Sequence, residues 1–225
     1  MLKNVRLRLA FNRLQREMEN FRDDLTAEDL LNFAYSEIGS LITPWQFREE
    51  IDKLAAEIEQ LKPERALEIG TANGGTLFLL CRLSHLKARI MSIDLPEGDF
   101  GGGYPEWKTG LYRKFALEDQ NLELLRADSH DPDTFAEVER YFGGKPLDYL
   151  FIDGDHTYEG VKRDYELYAP LVRKGGIIAF HDIVEHKESR CKVDEFWREV
   201  KEGKNCKEFV NDFDQGRYGI GLIYN

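Results

Sequence analysis

Apolar residues recur with helical spacing up to about residue 62 and with strand spacing after it. Leu7, Phe11, Leu14 and Met18 share one helical face. A second helix is predicted over Ala27 to Ile38. A third is predicted to begin at Thr43, with Pro44 in its first turn and Gln46 completing a capping box. Its buried face is Phe47, Ile51, Leu54, Ala55, Ile58 and Leu61, and Lys62-Pro63 ends it.

From Arg65 the pattern alternates. Strands are predicted at Ala66–Gly70, Ile90–Asp94, Leu122–Ala127, Leu147–Asp153 and Ile177–His181. Helices are predicted between them at Thr76–Leu86, Leu111–Glu118, Asp133–Phe142 (with Asp133 able to cap it) and Tyr158–Val172. A helix over Val193–Val200 follows. Two closing strands, Lys207–Phe213 and Tyr218–Tyr224, are joined by a tight turn at residues 214–217. Such alternation implies an α/β fold, a doubly wound parallel sheet covered on both faces, with an antiparallel strand from the terminal hairpin. No repeat or low-complexity linker marks a second domain. Residues 1–42 read as a helical cap or dimerisation extension, and residues 43–225 as the main domain.

The length of 225 residues fits this single main domain. A net charge of −11 argues against a nucleic-acid surface, although Lys3, Arg6, Arg8, Arg13 and Arg16 make the opening segment locally basic. No apolar run approaches the roughly 20 residues of a membrane helix, so no stable membrane association is expected. Cys81, Cys191 and Cys206 are widely spaced and form no zinc pattern, which suits three reduced cysteines in the cytoplasm.

Candidate chemistry gathers at predicted strand ends. The first strand enters Glu68-Ile69-Gly70-Thr71-Ala72-Asn73-Gly74-Gly75-Thr76, where glycines allow a sharp turn and close approach of a ligand to a helix N-terminus. The turn lacks the G-x-G-x-x-G spacing of a dinucleotide fingerprint. Asp94 ends the second strand, where a carboxylate can bind ribose hydroxyls. Asp128-Ser129 ends the third, in reach of an adenine amino group. Asp153, Asp155 and His156 follow the fourth, and His181-Asp182 the fifth. Neighbouring parallel strands would bring these last two clusters into one crevice. Asp155 reads as a cap for the helix near Tyr158 or as a partner of a histidine. The loop Leu95–Gly110 is long enough to be a lid, with Tyr104 and Trp107 as its covering aromatics.

Glu68-x-Gly70 with Gly74, Asp94 and Asp128-Ser129 resembles the class I S-adenosylmethionine (SAM)-dependent methyltransferases. The block FIDGDHTYEGVKRDYELYAPLVRKGGIIAFHD resembles their metal-dependent small-molecule O-methyltransferases, including the cephalosporin-hydroxylase-like and macrolide-sugar groups. The resemblance runs roughly from Thr43 to Tyr224. It implies a Rossmann-like sheet of seven strands, the last antiparallel. It implies SAM held by Glu68, Gly70, Thr71, Gly74, Gly75, Asp94, Asp128, Ser129 and Asp153. It also implies a divalent metal at Asp153, His181 and Asp182, with His156 as general base beside Asp153. Many relatives carry a carboxylate where this chain has His181, and imidazole suits a transition metal better than magnesium.

The implied partner is a small hydroxylated acceptor such as a sugar or polyphenol, with a homo-oligomer through the N-terminal helices as a further expectation. A base N-methyltransferase is disfavoured, because Asp153-Gly154-Asp155-His156 replaces the Asn/Asp-Pro-Pro-Tyr motif of those enzymes. Two other readings of these residues stay open: an NAD(P)-dependent oxidoreductase, and a non-catalytic nucleotide- or metal-binding scaffold.

Overall fold

A computed structural model describes residues 2–19, 21–22, 24–101, 103–187 and 190–225, with side chains from Leu9 onward. Leu7, Lys3, Arg6 and Arg8 therefore lie outside the described side chains. The helices are α1 (Leu2–Glu19), α2 (Ala27–Ala34), α3 (Arg48–Leu61), α4 (Gly75–Leu83), α5 (Thr109–Tyr112), α6 (Pro132–Phe142), α7 (Tyr158–Tyr168) and α8 (Val193–Val200). The strands are β1 (Arg65–Ile69), β2 (Arg89–Ile93), β3 (Asn121–Leu125), β4 (Leu147–Ile152), β5 (Val172–His181), β6 (Cys206–Phe209) and β7 (Ile220–Tyr224).

The strands form one sheet in the order β3-β2-β1-β4-β5-β7-β6. Pairs from β3 through β5 are parallel, and β7 is antiparallel to both neighbours. The chain reverses its winding between β1 and β4, which is where open α/β sheets bind ligands.

Alternate strand residues feed two core layers. Ala66, Ile90, Tyr149, Phe151, Ile177 and Leu222 face α1 to α5. Leu67, Met91, Leu150, Ile152, Ile178, Phe180 and Ile223 face α6 to α8. Each fully buried large side chain contributes roughly 1.5–3 kcal/mol of transfer free energy. In the second layer Phe180 packs on Phe196 and Trp197.

The predicted elements need several corrections. α3 starts at Arg48 rather than Thr43. The Thr43 hydroxyl donates instead to the Ala34 carbonyl, and Gln46 offers its carbonyl to Tyr35. α2 stops at Ala34, where the Ser36 hydroxyl takes the Phe33 carbonyl. Asp131, not Asp133, caps α6 ahead of Pro132. α7 ends at Tyr168 and passes into a single 3-10 turn over Ala169–Leu171, because Pro170 has no N–H to continue the α-helical ladder, and β5 begins early at Val172. Instead of a tight hairpin, residues 210–219 form a long connection. The buried Glu50 carboxylate anchors it, accepting from Asn211 N, Gln215 Nε2 and Gly219 N.

Candidate active site

Strand register sets the site. β1 pairs Ile69 with Ile152 of β4, and β4 pairs Ile152 with Phe180 of β5. The next residues, Gly70, Asp153 and His181, must then lie side by side. The His181 Nδ1 is 2.9 Å from Asp153 Oδ1. Gly70, at φ +93°, lies so close to β4 that a Cβ there would sit 1.9 Å from the Asp153 carbonyl oxygen. Only glycine satisfies both demands.

Asp94 extends the same row, its N–H bonding the Leu125 carbonyl at 3.0 Å. Its Oδ2 accepts from Ala72 N and Tyr104 N, both at 3.1 Å. Burial lifts its pKa to about 6, against the pull of those two N–H groups. Asp128, Ser129 and His130 follow β3. The Ser129 hydroxyl donates to buried Asp164 Oδ1 at 2.7 Å, and His130 Nε2 lies 3.2 Å from the same oxygen.

Two cavities meet on this row. One, of about 380 Å³, is lined by Gly70, Asp94, Asp128, Ser129, Asp153 and Asp155 among others. The other, of about 440 Å³, is lined by Trp45, Thr71, Gly75, His156, His181 and Tyr218 among others. Gly70, Ala72, Asp99, Phe100 and Asp153 belong to both walls.

At the second cavity, four charged groups interlock. His156 Nδ1 is 2.9 Å from Asp182 Oδ2, and its Nε2 is 3.3 Å from Asp153 Oδ1. Asp182 has φ +61°, a strained value for a non-glycine residue. Its Oδ1 accepts from Tyr218 N at 3.1 Å and lies 2.9 Å from His186 Nε2. Burial alone would lower the pKa of both histidines. The two carboxylates outweigh it, raising His156 well above its ordinary value and His181 to about 8. In return, burial would raise Asp153 and Asp182, but the imidazolium groups hold both below the ordinary carboxylate range. The cluster thus forms two carboxylate–imidazole pairs, Asp182 with His156 and Asp153 with His181.

Asp153, His181 and Asp182 bring one donor atom each to within 4.8 Å of one another, and buried His181 Nε2 has no hydrogen-bond partner among the described residues. Two carboxylates and an imidazole fit a divalent cation.

Of the expected cofactor residues, Gly70, Asp94, Asp128, Ser129 and Asp153 line the first cavity, and Thr71 and Gly75 line the second. Glu68 and Gly74 line neither. Glu68 is fully buried beneath the turn, its Oε2 accepting from Ser92 Oγ at 2.5 Å, and burial lifts its pKa to about 8. Gly74 caps α4 at φ +79°. Asp155 accepts from Thr157 N, but Thr157 is the residue that caps α7. In the long loop, Tyr104 is buried against Tyr112, and Trp107 packs on Phe11 of α1. Asp99 and Phe100 reach the site instead. Phe100, His130, His186, Arg190, Cys191 and Tyr218 are site residues that no periodicity or motif announced.

A family model described as a methyltransferase domain matches residues 67–183. The chain belongs to this methyltransferase family. Among curated relatives, an uncharacterised protein of Acanthamoeba polyphaga mimivirus is 33% identical over 121 residues, covering 54% of this chain and 52% of that protein. Demethylmacrocin O-methyltransferase of Streptomyces fradiae is 26% identical over 117 residues, 43% of this chain and 28% of that enzyme. The methyltransferase spans between 18% and 52% of the length of these and the other first-ranking curated relatives.

Solved structures share its fold. The O-methyltransferase from Bacillus cereus in complex with SAH superposes with a TM-score of 0.58 at 18% identity, over 91% of this chain and 93% of that one. TomG from Streptomyces achromogenes, an O-methyltransferase in complex with SAM, gives 0.57 at 16% identity over 90% of each chain. MycE, in complex with Mg, SAH and mycinamycin VI, gives 0.55 at 15% identity, over 87% of this chain and 54% of that one. The Rossmann-like seven-stranded expectation is thus met. Among the described residues, no helix is long and apolar enough to cross a membrane.

Proposed function

We propose that this methyltransferase moves the methyl group of SAM onto a hydroxyl oxygen of a small acceptor, a sugar, polyphenol or other secondary metabolite. The observation that carries the reading is the shared wall of the two cavities at Gly70 and Asp153. A sulfonium in the first cavity and an acceptor in the second would meet there in line.

The first cavity supplies the cofactor contacts. Asp94 accepts the ribose hydroxyls, and Asp128 and Ser129 sit where the adenine would lie. Trp45, Phe100 and Tyr218 give the second cavity apolar faces suited to a ring-shaped acceptor. As the carbon–sulfur bond breaks and the carbon–oxygen bond forms, the acceptor loses its hydroxyl proton. His156 Nε2 is the acceptor for that proton once the imidazole is neutral. A divalent cation held by Asp153, His181 and Asp182 would orient the hydroxyl, lower its pKa and offset the carboxylate charge that raises the His156 pKa. In this reading residues 1–42 serve as a helical cap or dimer contact over a catalytic unit of residues 43–225.

The test is incubation with SAM, magnesium and a panel of catechols and vicinal-diol sugars, read by mass spectrometry. The expected result is SAH with an acceptor heavier by one methyl group on oxygen. Methylation on nitrogen, or hydride transfer from NAD(P)H in place of SAH formation, would overturn the reading.

A further inference from the structure

Asp182 faces the methyl-transfer machinery through Asp153 and His181, but its other side meets a thiol. Cys191 Sγ lies 3.8 Å from Asp182 Oδ2, the oxygen that is also 2.9 Å from His156 Nδ1. We propose that His156, Asp182 and Cys191 form a binding site for a borderline-soft divalent transition metal of the zinc class.

Three separate segments build it: the loop entering α7, the end of β5 and the residue pair before α8. Their donor atoms all lie within 4.8 Å of one another. Around a tetrahedral zinc with ordinary N, O and S bond lengths, ligand atoms stand about 3.3–3.6 Å apart. The two measured separations flank that range, so shifts of roughly half an ångström close the shell. Asp182 and Cys191 are buried, which excludes water from two ligands, while His156 is partly exposed at 19%.

Outer contacts fix the ligands, as second-shell groups do in metal sites. The second oxygen of Asp182 is held by Tyr218 N and His186, and the second ring nitrogen of His156 faces Asp153. The His156 carbonyl accepts from Lys192 N at 2.7 Å, which ties the His156 loop to the residue after Cys191. Magnesium, a hard oxygen-seeking ion, gains nothing from a thiolate, whereas zinc or cobalt does. Binding displaces the thiol proton and the proton between His156 and Asp182. On the methyl-transfer reading an ion here occupies the proton acceptor and silences it, but the site itself stands without that reading.

The test uses the full chain and Co²⁺ alone as probe, then Zn²⁺. Wild type is expected to show a thiolate-to-cobalt charge-transfer band in the near ultraviolet that magnesium does not remove. Cys191→Ser should lose the band and bind Co²⁺ on the order of tenfold or more weakly, while Cys81→Ser and Cys206→Ser keep it. X-ray absorption on zinc-loaded wild type should show a sulfur neighbour at about 2.3 Å, a result that stands even if Cys191→Ser fails to fold. Cobalt bound without the band, a band that survives Cys191→Ser, or a zinc shell without sulfur would each overturn the proposal. None of these readouts depends on SAM binding or turnover.

Discussion

The Phe100 ring lies flat on the His156 imidazole, with centroids 4.9 Å apart and planes 14° from parallel. The Arg190 guanidinium sits 5.4 Å from the Phe100 ring centroid and pairs with Asp99 at 2.5 Å. The long loop after β2 is thereby fastened to the segment between β5 and α8, over both cavities. Phe100→Ala removes the stack, worth about 1 kcal/mol. The expected outcome is an acceptor KM raised on the order of five- to tenfold with the melting temperature nearly unchanged. Steady-state kinetics with thermal melts check this.

On the proposed reading, Asp94 sets cofactor affinity. Replacing it with Asn removes a charged acceptor, and hydrogen bonds to charged groups are worth about 1.5–3 kcal/mol. SAM should bind roughly ten- to a hundredfold more weakly. Its pKa near 6 adds a pH signature. With the ionised form as the ribose acceptor on that reading, affinity should fall as pH drops through about 6 in wild type and stay flat in Asp94→Asn. Calorimetric titrations between pH 5 and pH 8 separate the two curves.

Glu68 should cost stability as pH rises. Burial lifts its pKa from 4.5 to about 8, so the folded state holds the proton more tightly than the unfolded chain. The stability this gives is fully present below pH 4.5 and is lost as pH rises through 8. Glu68→Gln keeps an acceptor for Ser92 without that loss. It should match wild type in acid and exceed it by about 1–3 kcal/mol near pH 8, in urea unfolding at the two pH values.

Asp182 is not among the residues that line the first cavity. Asp182→Asn should therefore leave SAM affinity within about twofold while lowering kcat by roughly a hundredfold or more, through loss of a cation ligand and of the His156 partner. Chelator treatment of wild type should reproduce the kcat loss, with recovery on adding back magnesium.

The strand-end acids were legible because parallel strands place their carboxyl ends together, so Asp94, Asp153 and His181 follow from pattern alone. Residues brought by loops were not. Tyr218 reaches His181 because buried Glu50 ties down the connection before β7, and a glutamate on a helix reads as solvated. Tyr104 and Trp107 looked like lid aromatics, yet the helices beside the sheet absorb both and leave Phe100 to cover His156. Spacing carries no record of which aromatic on a loop meets which partner. The start of α3 failed for a related reason: the Thr43 hydroxyl had a tertiary partner in Ala34 that a local capping rule does not see.

Calorimetric titration of SAM into the protein, with NAD as the control ligand, tests the central claim most directly. Micromolar binding of SAM with a single site, and none of NAD, is the predicted result. Binding of NAD in place of SAM, or of neither, would contradict the account.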